Sequence, residues 1–106
     1  MTTFDKREQA FEQQFAHDEE LKFKAEARRN RLLGLWAADR IGLSGDAADA
    51  YAREVVAADF EPGGGGALQK ITGDLAARGV TVPQAQLQAI MNEFMAQAIA
   101  QVRKGE

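Results

Sequence analysis

"VTVPQAQLQAIMNEFMAQAIAQV", Val80 to Val102, carries the clearest periodicity in the chain. Leu87, Ile90, Met91, Phe94, Met95, Ala98 and Val102 recur at spacings of three and four, which gathers them on one stripe of an α-helix. A half-buried strand would alternate apolar and polar residues instead. Thr81 followed by Gln84 fits a capping box, and Pro83 is tolerated in a first turn because its missing N–H has no intrahelical partner there. The stretch predicts a helix over about 82–104. The strength of its stripe marks that helix as the centre of a small bundle.

Upstream segments read the same way. Leu68, Ile71 and Leu75 predict a helix over about 67–78, with Gly79 where a left-handed cap belongs. "EPGGGG", Glu61–Gly66, is a break, since four successive glycines hold no single conformation unaided. Before it, Ala47, Tyr51, Val55, Ala58 and Phe60 form the inward face of a helix over about 46–60. "IGLSGD", with Gly42 and Gly45, ends an earlier helix over about 21–42 that contains "LLGLWAA" and the single tryptophan. Val80–Val82 is briefly extended, and no alternation long enough for a sheet occurs elsewhere. The expected fold is all-α: a small four-helix bundle over residues 21–106, with a mobile, partly helical N-terminal arm over residues 1–20.

The arm is set apart by what it lacks. Its large apolar side chains are Phe4, Phe11 and Phe15, at i, i+7 and i+11 on one helical stripe. Packing supplies most helix stability in water, and three spaced rings make little core. The segment is expected to order only against a partner.

Totals exclude several classes. The chain has 106 residues, 45% hydrophobic and 27% charged, which fits one soluble domain. Its net charge of −3 argues against a general nucleic-acid binder. There is no cysteine, hence no disulfide or thiol chemistry. No apolar run approaches the roughly 20 residues that span a bilayer, and the N-terminus lacks a secretory layout. A cytoplasmic protein without membrane insertion is the expectation.

Catalytic constellations are not evident, and an enzyme is not expected. His17, the sole histidine, lies beside Asp18, Glu19 and Glu20, which would favour its charged form. Imidazole and thiolate ligands are too few for a metal site, and the acids lack calcium-loop spacing. "PGGGGALQKI" invites comparison with a phosphate loop, but the GxxxxGK[ST] spacing is missing, and a flexible linker is the better reading. Lys22, Lys24, Arg28, Arg29 and Arg31 form the densest positive cluster. From the residues alone it is either a solvated helix face or a cationic collar for an acidic surface or anionic ligand.

"FAHDEE", "FKAEARRN", "LLGLWAA" and "YAREVVAADFE" together resemble the zeta subunit of bacterial F-type ATP synthases, and the likeness runs essentially end to end. The resemblance implies a small helical protein that inhibits ATP hydrolysis by the catalytic head. It implies that the N-terminal arm, with Phe4, Arg7, Phe11, Phe15 and His17, inserts at a catalytic interface between alpha and beta subunits and reaches toward the gamma rotor. The collar of Lys22, Lys24, Arg28, Arg29 and Arg31 then sits at the root of the arm as a docking surface, and the location becomes cytoplasmic, peripheral to the inner membrane. The chain departs from the family pattern at "PGGGG", where members commonly carry a more acidic, less glycine-rich stretch. Other readings are a non-inhibitory assembly subunit of the same complex, and a small helical module that binds adenine nucleotide weakly through the collar and "ALQK". No resident cofactor is implied.

Overall fold

The computed structural model describes residues 19–63 and 65–105. Four helices follow one another: α1 (Glu19–Arg40), α2 (Gly45–Ala58), α3 (Gly66–Ala77) and α4 (Gln84–Arg103). Among the described residues every regular element is a helix, as the periodicity predicts. Residues 1–18, which hold most of the expected arm, lie outside the described residues.

The centre of the bundle is α1, not α4. α1 packs against α2, α4 and α3, whereas α4 rests chiefly on α1. The buried positions of α1 are Ala25, Asn30, Leu33, Gly34, Ala37 and Ala38, which at about 100° per residue cover more than half its circumference. Only Leu33 among these is large and apolar. A helix enclosed from several sides must be thin on those sides, so its stripe is broad and built from small residues. α4 is covered on one side and keeps a sharp stripe of large residues. Of these Leu87 and Ala98 are fully buried, while Ile90, Met91, Phe94 and Met95 are half-buried. Amphipathic contrast thus marks the outer helix.

Gly34 shows how tight the centre is. A β-carbon built there would lie 2.7 Å from the Cα of Ala52 and 3.2 Å from the Cβ of Val55. The α1–α2 crossing therefore needs a glycine facing an alanine. Around it the main core joins Leu33, Ala37 and Ala38 of α1 to Tyr51 and Val55 of α2, Ile71 and Leu75 of α3, and Leu87 of α4. A smaller cluster at the other end of α1 joins Ala25 to Ala98, flanked by Leu21, Met95, Ile99 and Val102.

Helix ends account for the remaining differences from expectation. Gly79 has φ +76, Val80 N–H bonds the Leu75 carbonyl at 2.8 Å and Gly79 N–H bonds that of Ala76 at 3.0 Å. That is a Schellman ending, and α1 repeats it with Gly42 and Leu43. The expected capping box does not form: Pro83 is the N-cap, its carbonyl accepts from Leu87 N–H at 3.1 Å, and no side chain caps α4. A cap at Thr81 would have forced Val82 into helical backbone immediately before proline, which steric clash disfavours. On α2, Ala47 is exposed and Ala48 packs on the core instead, because the buried Ala52 swings the stripe to that side. Phe60 lies beyond the helix and is 60% exposed, not inward.

Gly34→Ala should destabilise the protein by about 1–3 kcal/mol through overpacking, partly offset by roughly 1 kcal/mol of helix propensity. Gly73→Ala is the matched control. Its β-carbon meets nothing within 4 Å, so only the propensity gain of about 1 kcal/mol applies. Urea unfolding followed by Trp36 fluorescence should give shifts of opposite sign.

Candidate functional site

The N-terminal half of α1 carries two chemically different faces. Lys24, Arg28 and Arg31 stand at i, i+4 and i+7 and share one face. Lys22 and Arg29 point the other way around the helix. The five cations of the expected collar are therefore split between two surfaces.

On the first face, Arg28 Nη1 donates to Gln101 Oε1 at 3.4 Å, which ties α1 to the last turns of α4. Lys24 pairs with Glu20 at 3.4 Å, and Arg31 with Asp49 of α2 at 3.9 Å. Both pairs are largely exposed, so each is worth at most about 1 kcal/mol and yields readily to another anion. These three cations line an open groove of 720 Å³ together with the apolar side chains of Leu21, Ala27, Leu32, Val56 and Val102. It exists because α4 leans on α1 through the small residues Ala25 and Ala98 and stops at Arg103, leaving the flank of α1 uncovered.

The second face is structural. Asn30 is 2% exposed and is the buried polar residue among those described. Its amide nitrogen donates to Asp59 Oδ2, and its oxygen accepts from Arg29 Nε at 3.1 Å. Arg29 also approaches Asp59 at 3.6 Å. The other carboxylate oxygen of Asp59 accepts from Ala67 N–H at 2.8 Å, in the first turn of α3. One carboxylate thus joins α1, the end of α2 and the start of α3, with its charge at the favourable end of the α3 dipole. Arg29 belongs to this node. The exposed rings of Phe23 and Phe60 meet over it with centroids 5.4 Å apart.

The same node answers the phosphate-loop comparison. Gly66 has φ +84, and a β-carbon there would sit 2.9 Å from Asp59 Oδ1. Glycine is needed so that the carboxylate can reach the α3 amide. An N–H that a phosphate would take at this terminus is already bound to Asp59. Nor does Lys70 join the cationic face: it lies 3.1 Å from Asp74 and 3.9 Å from Glu54, with its ammonium 5.3 Å from the centroid of the Tyr51 ring. The collar and "ALQK" do not meet in one site.

Tyr51 forms the remaining polar contact of note, donating its hydroxyl to Asp74 at 2.8 Å. Burial first, then the hydrogen bond and charge of Asp74, and last the charge of Glu54, push its phenol well above the ordinary value. Among the described residues no helix is long and apolar enough to cross a membrane, and no cluster of acids and histidine is arranged to hold a metal. Phe4, Arg7, Phe11, Phe15 and His17 lie outside the described residues. Sequence reasoning missed Asn30, Asp59 and Gln101. The only trace of the first is a polar residue on the inward side of α1, five positions past Ala25 and three before Leu33.

Comparison with known proteins adds independent findings. The family model described as ATPase inhibitor subunit zeta matches residues 1–101. A protein whose structure was determined by solution NMR is similar at 47% identity, over 81% of this chain and 99% of its own, with a TM-score of 0.67. Among curated proteins none matches.

Asp59→Ala should leave the Asn30 amide buried without its acceptor, at a cost of about 1–3 kcal/mol, and remove a helix cap worth roughly 1 kcal/mol. Denaturant unfolding of the variant checks the sum, and hydrogen exchange at Ala67 and its neighbours should rise more than exchange in α4. For Tyr51, the folded pKa exceeds the unfolded value near 10, so its contribution is fully present below pH ~10 and is lost as pH rises beyond it. Phenolate absorbance of this single tyrosine should appear late and together with unfolding. Tyr51→Phe should flatten the alkaline limb of the stability profile.

Proposed function

Since this chain belongs to the ATPase inhibitor subunit zeta family, we propose that it inhibits ATP hydrolysis by the catalytic head of an F-type ATP synthase with its N-terminal segment. The bundle docks on the outside of the head through the cationic face of Lys24, Arg28 and Arg31. Residues 1–18, with Phe4, Arg7, Phe11, Phe15 and His17, order as a helix at a catalytic interface between alpha and beta subunits and reach toward gamma. The observation that carries this reading is the extent of the family match, which begins at residue 1 and so includes the segment as well as the bundle.

Magnitudes explain why segment and bundle must be one chain. Burying three phenylalanines yields roughly 1.5–3 kcal/mol each. Ordering the backbone of the segment costs about 1–2 kcal/mol per residue before helix hydrogen bonds and interface contacts offset it. A free segment would therefore bind poorly. A docked bundle holds it at an effective concentration in the millimolar range, about that of a short flexible tether. The cationic face adds attraction toward an acidic patch and fixes register more than it adds affinity.

ATP hydrolysis by the cognate catalytic head should fall with the full chain, recover when residues 1–18 are removed, and respond weakly to a peptide of residues 1–18 alone. Circular dichroism should show the truncated bundle still helical. Full inhibition by the truncated chain would overturn the proposal. Co-purification with the head without any change in hydrolysis would favour an assembly subunit instead.

A further inference from the structure

Two aromatic rings stand outside the core and against each other. Among the described residues the exposed large apolar side chains are Phe23 at 54% and Phe60 at 60%, with ring centroids 5.4 Å apart. Phe23 lies early in α1 and Phe60 just beyond the end of α2, so the fold gathers at one point what the chain holds far apart. Single exposed apolar side chains are ordinary, whereas two large rings together make a patch. The node beneath does not need them as a cover. Asn30, Arg29 and Asp59 satisfy one another, and no buried side-chain polar atom lacks a partner among the described residues. Those bonds instead fix the backbone that presents the rings. Asn30 and Phe23 share α1, Asp59 precedes Phe60, and Phe60 N–H bonds the Ala57 carbonyl at 3.0 Å. A patch held in this way needs little ordering when it is covered.

The pair is continuous with the cationic face, because Phe23 lines the same groove as Lys24, Arg28 and Arg31. Charge then selects the occupant. The ion pairs that Lys24 and Arg31 make with Glu20 and Asp49 are exposed, so carboxylates on an incoming surface compete for both cations. A second copy meeting this patch would bring like-charged rows toward each other. Glu26 lies on the other side of the rings, beside a notch of 190 Å³ that both rings help to line. Only the edge of the partner that meets the cations therefore has to be acidic. We propose that Phe23 and Phe60 are the apolar anchor of the bundle's docking surface, seating together in an apolar pocket of the partner whose rim toward Lys24, Arg28 and Arg31 carries carboxylates. The inference rests on the reading that the bundle docks on the catalytic head, and it gives rings and cations different parts. The cations steer and orient the approach, and the rings hold the bundle once seated, since desolvated aromatics dominate interface energy while rim charges act on association.

The full chain and the cognate catalytic head test this, with binding followed by biolayer interferometry. Phe23→Ala and Phe60→Ala should each weaken binding by about 30-fold or more, nearly all of it through faster dissociation. The double variant should lose less than the product of the two losses, because the rings touch and act as one anchor. Lys24→Gln with Arg31→Gln should instead slow association and flatten its dependence on salt. In the hydrolysis assay the ring variants should shift the midpoint by the same factor and still reach full inhibition. Circular dichroism should show them as helical as the native chain. Hydroxyl-radical footprinting of the native complex, which needs no substitution, should find both rings protected. A native chain that binds and inhibits while the ring variants match it, or while both rings stay reactive in the complex, overturns the anchor and leaves the inhibitory reading standing. A native chain that does not bind the head overturns both. Dimerisation of the free chain that Phe23→Ala abolishes also overturns the anchor, by making a second copy the occupant.

Discussion

The structure depends on how closely α1 and α2 approach. At Gly34 the backbone of α1 comes so near Ala52 that a single added methyl group would collide with main chain. Everything else is arranged around a central helix thin enough to be enclosed. Ala25, Ala37 and Ala38 continue the same logic along its length, and bulk is supplied by Val55, Ile71, Leu75 and Leu87 from the surrounding helices. In a chain of 106 residues the fraction of surface that can be buried is modest. Close backbone approach recovers contact that large central side chains would have provided at a wider spacing.

A second constraint is polar. Asp59 ties Asn30 and Arg29 of α1 to the first turn of α3, so one carboxylate joins three helices across the glycine-rich break. The break therefore closes over a defined polar link between the end of α2 and the start of α3. This node also takes Arg29 out of the cationic cluster and leaves Lys24, Arg28 and Arg31 as a separate face above the groove. α1 is divided along its length as well. Its C-terminal half is core, and its N-terminal half has a small-residue seam against α4 with an open flank. That division puts a charged, incompletely covered surface at the start of α1, next in sequence to residues 1–18.

Much of this was legible in the residues. Helix periodicity does not depend on neighbours, so the four helices followed from spacing, and Gly79 announced its Schellman ending. The resemblance to the zeta family rested on words such as "FKAEARRN" and "LLGLWAA", and the family model agrees with it. The misreadings have physical causes. α4 looked central because large residues on a narrow stripe give the strongest pattern, while enclosure on several sides erases contrast. Ala47 and Ala48 stand on either side of the same stripe, and only the burial of Ala52 chooses between them. The capping box failed because a backbone clash before Pro83 outweighs a favourable side-chain pair.

By itself the sequence determined what local geometry can determine: four helices, their breaks, an N-terminal segment with few large apolar residues, and a run of cations beside it. Tertiary structure decided which helix is enclosed, which carboxylate closes the glycine loop and which of the five cations share a face. Those outcomes depend on contacts between residues such as Asn30 and Asp59 that lie far apart in the chain. Periodicity reports only which side of a helix is apolar; what covers that side, and how closely, is settled when the helices meet.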